Sequence, residues 1–235
     1  MIAKNLAARV AVYIMGLLIL AFGVVFAINS DLGISPVNSL PFAVSITSGI
    51  GMGISVTAFF LLCLLAQVVL LRRDFKLINL TQIIYSFIFG YFVEFARFVK
   101  GNFAFPTYFG QLAMLAISLL LIPIGLSMYL EAKLVPMPSE GLVIAITQKL
   151  PKMTFARIKV IFDCVLVALA ILLTLIVLGN VQGVREGTVI SAIFIGKLMP
   201  PARRVISHIL GNMGFYPPQP PNPAGETGAD VGTKT

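Results

Sequence analysis

Charged residues are scarce in this chain of 235 residues: they make up 11% of it, whereas 58% of the residues are hydrophobic. Soluble domains usually carry about 25% charged residues. The composition therefore excludes a water-soluble globular domain. It predicts an all-α integral membrane protein whose main partner is the lipid bilayer.

Residues that commonly carry catalysis or bind metals are also few. The chain has one histidine and two cysteines, and both cysteines lie inside apolar runs. A histidine-based zinc site or catalytic triad cannot be built from this set. Neither a Walker A loop nor a GxSxG or HExxH motif occurs. We therefore expect no enzyme, no cofactor and no metal, and the absence of a long basic patch argues against nucleic acid as a partner.

Six apolar segments have the length and composition of transmembrane helices, for which about 20 residues are needed. The six segments are 8–29, 54–71, 78–98, 109–130, 158–178 and 187–200. The last segment is the shortest, and it becomes longer if the helix continues through Pro200 and Pro201 into 202–211.

Two further apolar segments, 36–50 and 138–150, are too short to span comfortably. Each opens with a proline, which suits the first turn of a helix. Apolar stretches of about 10–14 residues are more often re-entrant or interfacial than spanning. We therefore predict two short re-entrant helices.

The chain contains an internal repeat. Residues 17–45 align without a gap on residues 119–147, and after a slip of four residues 90–97 aligns on 196–203. Glycine, proline and arginine matches carry the alignment, since leucine matches are common in lipid-facing sequence. They are Gly23 with Gly125, Pro36 with Pro138, Gly90 with Gly196, and Arg97 with Arg203. We predict repeats over about 9–98 and 109–204 within a single membrane domain, 1–215.

The distribution of lysine and arginine predicts the topology. If the short helices re-enter and the N-terminus is cytoplasmic, 14 of the 17 basic residues lie inside, and only Arg97, Lys100 and Arg185 lie outside. If the short helices span, the division falls to 12 against 5. The positive-inside rule favours the first arrangement. Three spans per repeat then make the repeats inverted, which is typical of transporters.

The candidate substrate-binding residues lie where the two short helices begin: Ser35, Asn38, Ser139 and Glu140. The N-terminus of a half-helix exposes N–H groups that suit an anionic ligand group. An acid inside the membrane costs about 2.5–3.5 kcal/mol on insertion scales, which makes Glu140 a functional candidate. The alternative is that these four residues only cap their helices.

Asp163 is the candidate for ion coupling, because it is an acid within a predicted span. It follows Lys159 by four residues, so an i, i+4 ion pair on one helical face is the alternative. For Gln67 and Gln82, polar residues within predicted spans, we expect hydrogen bonds between helices.

Three segments resemble the YitT/YczE-type family of bacterial membrane proteins: DLGISPVNSLPFAVS (31–45), EGLVIAIT (140–147) and REGTVISAIFIGKL (185–198). The resemblance covers roughly residues 9–204. It implies a bacterial inner-membrane location and a transport role. The chain departs from the family pattern at Val37, where tryptophan is common, and at Asn38, where an acid is common.

Together these features predict a secondary transporter or permease for a small polar or anionic solute, with both termini in the cytoplasm. The alternative is a non-transporting membrane partner or scaffold that acts through its loops and a disordered, Pro-rich tail, 216–235. A passive channel is a third reading. Substrate, direction, coupling ion and homo-oligomerisation stay open at this stage.

Overall fold

The computed structural model describes residues 2–101, 107–150 and 152–212, and over these ranges the regular structure is entirely helical. The predicted tail, 216–235, lies outside the described residues. Short 3₁₀ turns, Arg72–Asp74 and Leu77–Thr81, connect the third and fourth α-helices. The described α-helices are α1 (Ile2–Asn29), α2 (Pro36–Ser48), α3 (Met52–Leu71), α4 (Gln82–Lys100), α5 (Tyr108–Glu131), α6 (Pro138–Lys149), α7 (Phe155–Leu178) and α8 (Glu186–Asn212).

Five helical segments are long and apolar enough to cross a membrane, as the predicted multi-pass α-helical membrane protein requires. They are Leu6–Asn29, Met52–Asp74, Leu77–Lys100, Tyr108–Glu131 and Arg157–Leu178. The predicted sixth span lies in α8, which runs unbroken through Pro200 and Pro201 for 27 residues. Within it, Glu186–Ile195 forms a shorter apolar segment. The count of six spans therefore stays a prediction.

The order of helices repeats along the chain: a long helix, a short helix and two long helices, followed by the same series. In the two series, the connection between the long helix and the short helix begins and ends at equivalent positions. Helix α1 ends at Asn29 and α5 ends at Glu131, 102 positions later, and the short helices begin at Pro36 and Pro138, again 102 positions apart. The connections also match in conformation, as Asp31 (φ 54°) and Lys133 (φ 50°) both adopt left-handed backbone geometry at equivalent positions.

Helices α1 and α5 form the most extensive interface, and they run antiparallel. Gly16 of α1 lies against the backbone of Gly125 and Tyr129, whereas Gly23, further along α1, lies against Ile122. The residue numbers of α5 thus fall as those of α1 rise. In lipid, where apolar surfaces gain little from each other, small residues allow the close backbone approach that holds such helices together.

The contacts across this interface are reciprocal. Gly23 packs against Ile122, and Gly125, its equivalent, packs against Leu20, the equivalent of Ile122. Such an exchange of equivalent contacts is what a two-fold axis between α1 and α5 produces. The other helix pairs follow the same rule: α1 packs on α4 as α5 packs on α8, and α2 packs on α7 as α6 packs on α3.

One pair of helices breaks the rule. Helix α3 packs closely on α4, where Gly53 lies against the backbone of Gly90, but α7 and α8 make almost no contact. The second copy is therefore more open than the first on this side. Helix α7 is also the least buried of the five candidate spans.

The α1–α5 crossing predicts a large effect of Gly125→Ala. A Cβ at Gly125 would lie 2.6 Å from the Leu20 nitrogen and 2.7 Å from the Gly16 oxygen, so the helices must separate. We expect a loss of about 1–3 kcal/mol, the usual cost of overpacking. The measurement is thermal unfolding in detergent, followed by maleimide labelling of the buried Cys63 in a Cys164→Ser background.

Gly211→Ala is the matched control, because no atom lies within 4 Å of a Cβ at that position in α8. Alanine favours a helix over glycine, so this variant should unfold at the same temperature as the parent or slightly higher. Equal unfolding temperatures for the two variants would contradict the close crossing.

Candidate functional site

Helix α6 runs alongside the last turns of α3, in the same direction. Gly141, in its first turn, lies against the Gln67 side chain, and Lys149, its last residue, forms an ion pair of 2.9 Å with Asp74 just beyond α3. Four residues separate Gln67 from Leu71, the last residue of α3, a rise of about 6 Å along the helix. Helix α6 therefore begins about 6 Å before the C-terminal end of α3.

A buried pair of glutamines holds the start of α6 in place. The Gln67 amide nitrogen donates to the Gln82 side-chain oxygen (3.0 Å) and to the Pro138 carbonyl (3.0 Å). The Gln82 nitrogen donates back to the Gln67 oxygen (3.4 Å). Both side chains are almost wholly buried. The predicted interhelical hydrogen bonds of Gln67 and Gln82 are thus confirmed, and they tie α3, α4 and α6 together.

Glu140 lies in the first turn of α6, next to charged groups of α7. Ser139 donates its hydroxyl to the Glu140 carboxylate (3.0 Å). The Lys159 ammonium bonds Asp163 at 2.7 Å, which is the predicted i, i+4 pair. Both Lys159 and Asp163 are close enough to Glu140 to interact with it electrostatically. Three of the five candidate residues, Ser139, Glu140 and Asp163, therefore lie in one neighbourhood, together with Lys159.

Two tyrosines complete this group, which we term the Glu140 cluster: Tyr13, Tyr129, Ser139, Glu140, Lys159 and Asp163. Tyr13 and Tyr129 are fully buried, with ring centroids 5.6 Å apart. Tyr13 donates to the Val135 carbonyl (3.2 Å), and the Tyr129 hydroxyl interacts with the Glu140 side chain. Both hydroxyls are in electrostatic range of Glu140.

Ser35 and Asn38 occupy a different neighbourhood. The Asn38 amide donates to the Ser35 hydroxyl (2.9 Å) at the start of α2, and both residues are buried. The adjacent Ile34 nitrogen bonds the Gly183 carbonyl, beyond the end of α7. Lys159 lies in the second turn of α7, whereas Gly183 lies beyond its last residue, Leu178. No hydrogen bond or ion pair of the described residues joins the two neighbourhoods.

Sequence reasoning missed one buried ion pair. Glu131, at the end of α5, is 5% exposed and is hydrogen-bonded to Arg203 of α8. The sequence predicted Arg203 only as part of a basic cytoplasmic segment. No local signal pairs residues that are 72 positions apart, although Arg203 is the repeat equivalent of Arg97, which itself approaches an acid, Glu94, at 3.8 Å.

Comparison with known proteins places the chain in a family. The family described as "Family of unknown function (DUF6198)" matches residues 7–202, and the chain belongs to it. The chain is also similar to "Uncharacterized protein YyaS" of Bacillus subtilis (strain 168), at 30% identity over 161 residues, which cover 68% of this chain and 78% of that protein. No solved structure matches. Neither match names the YitT/YczE-type family, so that resemblance stays a prediction.

The glutamine pair predicts strongly non-additive substitutions. Gln67→Leu leaves the buried Gln82 amide without its partner, which should lower the free energy of unfolding by about 1–3 kcal/mol. Gln67→Leu combined with Gln82→Leu should cost less than the sum of the two single changes, since replacing both polar partners with apolar groups is nearly neutral. Thermal unfolding of the four proteins measures this coupling, and additive losses would contradict it.

Proposed function

We propose that this protein is a secondary transporter or permease that moves a small polar or anionic solute across the bacterial inner membrane. The observation that carries the proposal is the Glu140 cluster. An acid at the start of the short helix α6 lies within electrostatic range of a Lys–Asp pair from α7 and interacts with the buried hydroxyl of Tyr129. Ionisable groups at membrane depth are expensive, and they commonly mark ion or substrate pathways.

The inverted repeat supports the same function. Inverted repeats place equivalent helices antiparallel across an axis in the membrane plane, and α1 and α5 meet antiparallel with exchanged contacts between equivalent residues. Short helices that start inside the membrane are the second feature of such transporters. In the proposal, α8 is the sixth span, both termini are cytoplasmic, and α2 and α6 enter from opposite faces.

Each neighbourhood has its own role in the proposal. Glu140 and Asp163 exchange a coupling cation or proton, since both carboxylates lie within electrostatic range of the Lys159 ammonium, which is paired with Asp163. Ser35 and Asn38 offer a neutral helix start, where a negatively charged solute group meets no acid of α2. In the proposal the two neighbourhoods act at different steps of the transport cycle rather than on one solute at once.

Transport by Glu140→Gln is the direct test. The protein is reconstituted in liposomes and offered amino acids, organic acids, inorganic anions and amines under an imposed proton or sodium gradient. We expect uphill uptake of at least one class by the parent protein and loss of the gradient-driven part in Glu140→Gln, because an amide cannot bind and release a proton.

Asp74→Asn is the matched control, since it removes one negative charge from an exposed side chain near the same end of α3. It should transport as the parent does. Full gradient-driven uptake by Glu140→Gln would exclude the assigned role of this residue. Uptake that no gradient can drive uphill would indicate a passive channel instead.

Truncation of the tail distinguishes the transport hypothesis from the alternative of a non-transporting partner protein. Removal of the residues after Phe215 should leave solute uptake unchanged, because every proposed functional group lies between Tyr13 and Asp163. No uptake of any solute class by the full chain, together with a protein partner that is captured by the full chain and lost on truncation, would favour the scaffold alternative.

A further inference from the structure

A cavity of about 530 Å³ lies at the start of α2, away from the Glu140 cluster. It opens between the α1–α2 connection and the α7–α8 connection. Ile28, Phe42 and Val181 supply apolar walls, and Asp31, Arg185 and Gln182 supply polar groups. Small-molecule sites usually have volumes of about 300–1,000 Å³ and combine apolar walls with a few polar groups. The cavity fits this description.

The two connections that form the cavity are bonded to each other. The Ile34 nitrogen donates to the Gly183 carbonyl (3.1 Å), and the Gly187 nitrogen donates to the Leu32 carbonyl (2.6 Å). Gly33 (φ 112°) has no room for a side chain, because a Cβ there would lie 2.5 Å from the Thr188 hydroxyl. These contacts hold the walls of the cavity in place, which lowers the entropic cost of ordering them around a ligand.

Opposite charges face each other in this cavity without a close pairing. The Arg185 guanidinium donates to the Asp31 carbonyl at 2.7 Å, lies 3.6 Å from the Asp31 carboxylate and donates to the exposed Glu186 carboxylate at 3.4 Å. The Asp31 side chain is 80% exposed and that of Arg185 is 44% exposed. Exposed pairs of this kind contribute about 0–1 kcal/mol. Both groups can therefore turn towards a ligand at little cost.

We propose that the cavity binds a small zwitterion of the apolar amino-acid type. The ligand carboxylate bonds Arg185, its ammonium bonds Asp31, and its aliphatic side chain packs on Ile28, Phe42 and Val181. A simple anion of the same size meets the repulsion of Asp31, and a simple amine meets that of Arg185. Only a zwitterion satisfies both charges. The test of this site does not depend on the proposed transport, because equilibrium binding to the protein in detergent involves no movement of solute across a membrane.

Three probes of similar shape test the assignment: L-valine, isobutyrate and isobutylamine, titrated by calorimetry into the purified full chain in detergent. We expect L-valine to bind at least tenfold more tightly than either single-charge analogue. Asp31→Asn and Arg185→Gln should each weaken L-valine binding at least tenfold. Asparagine tolerates the left-handed backbone at position 31, so Asp31→Asn removes charge without added strain.

Arg97→Gln is the control for the arginine change, because Arg97 has comparable exposure and belongs to an ion pair on α4 outside the cavity. It should bind L-valine as the parent does. If Arg185→Gln does not fold, Val181→Trp replaces it: the indole fills the cavity and leaves the hydrogen bonds between the connections intact. Binding should then be lost.

Several outcomes would overturn the assignment. They are no heat of binding with L-valine, equal affinity for one of the single-charge analogues, or unchanged affinity in both Asp31→Asn and Val181→Trp. Loss of L-valine binding in Glu140→Gln would place the ligand at the Glu140 cluster instead. Failure of transport with intact L-valine binding would count against the proposed function and leave this site standing.

Discussion

The close antiparallel crossing of α1 and α5 is the constraint on which the other contacts depend. Lipid chains are as apolar as leucine, so helices gain little from hydrophobic contact with each other and rely on close packing. Gly16 and Gly125 provide it by letting backbone meet backbone. Helix α4 then packs on α1 and α8 on α5, and the short helices pack on the long helices of the opposite repeat. Each repeat therefore completes the surroundings of the other.

The two breaks in the helices bring a second constraint. Backbone groups that leave a helix at membrane depth must be satisfied by protein, because lipid offers no partner. The Leu32 carbonyl accepts from the Gly187 nitrogen, and the carbonyls of Val135 and Pro138 accept from Tyr13 and Gln67. These donors come from other parts of the chain. The entries to α2 and α6 are thus fixed by tertiary contacts, which also set the positions of Asn38 and Glu140.

Much of this arrangement is visible in the sequence, because its signals are local. Pro36 and Pro138 mark the starts of the short helices, the apolar runs mark the spans, and the amides of Gln67 and Gln82 require interhelical partners that the structure provides. What sequence reasoning missed depends on contacts between distant segments: the Glu131–Arg203 pair, the burial of Tyr129 beside Glu140, and the cavity at Asp31 and Arg185. The continuous α8 agrees with the predicted extension of the sixth segment through Pro200 and Pro201 into 202–211.

The equivalent positions of the two repeats share a backbone but differ in chemistry. Asp31 and Lys133 have the same left-handed conformation and opposite charges. Asn38, bonded to Ser35, is equivalent to Glu140, which faces Lys159 and Asp163. If both equivalent positions carried an acid, the free-energy cost of burying a charge would be the same at the starts of α2 and α6. With the acid in one repeat and the neutral amide in the other, the two helix starts differ in charge although their positions in the repeats are equivalent.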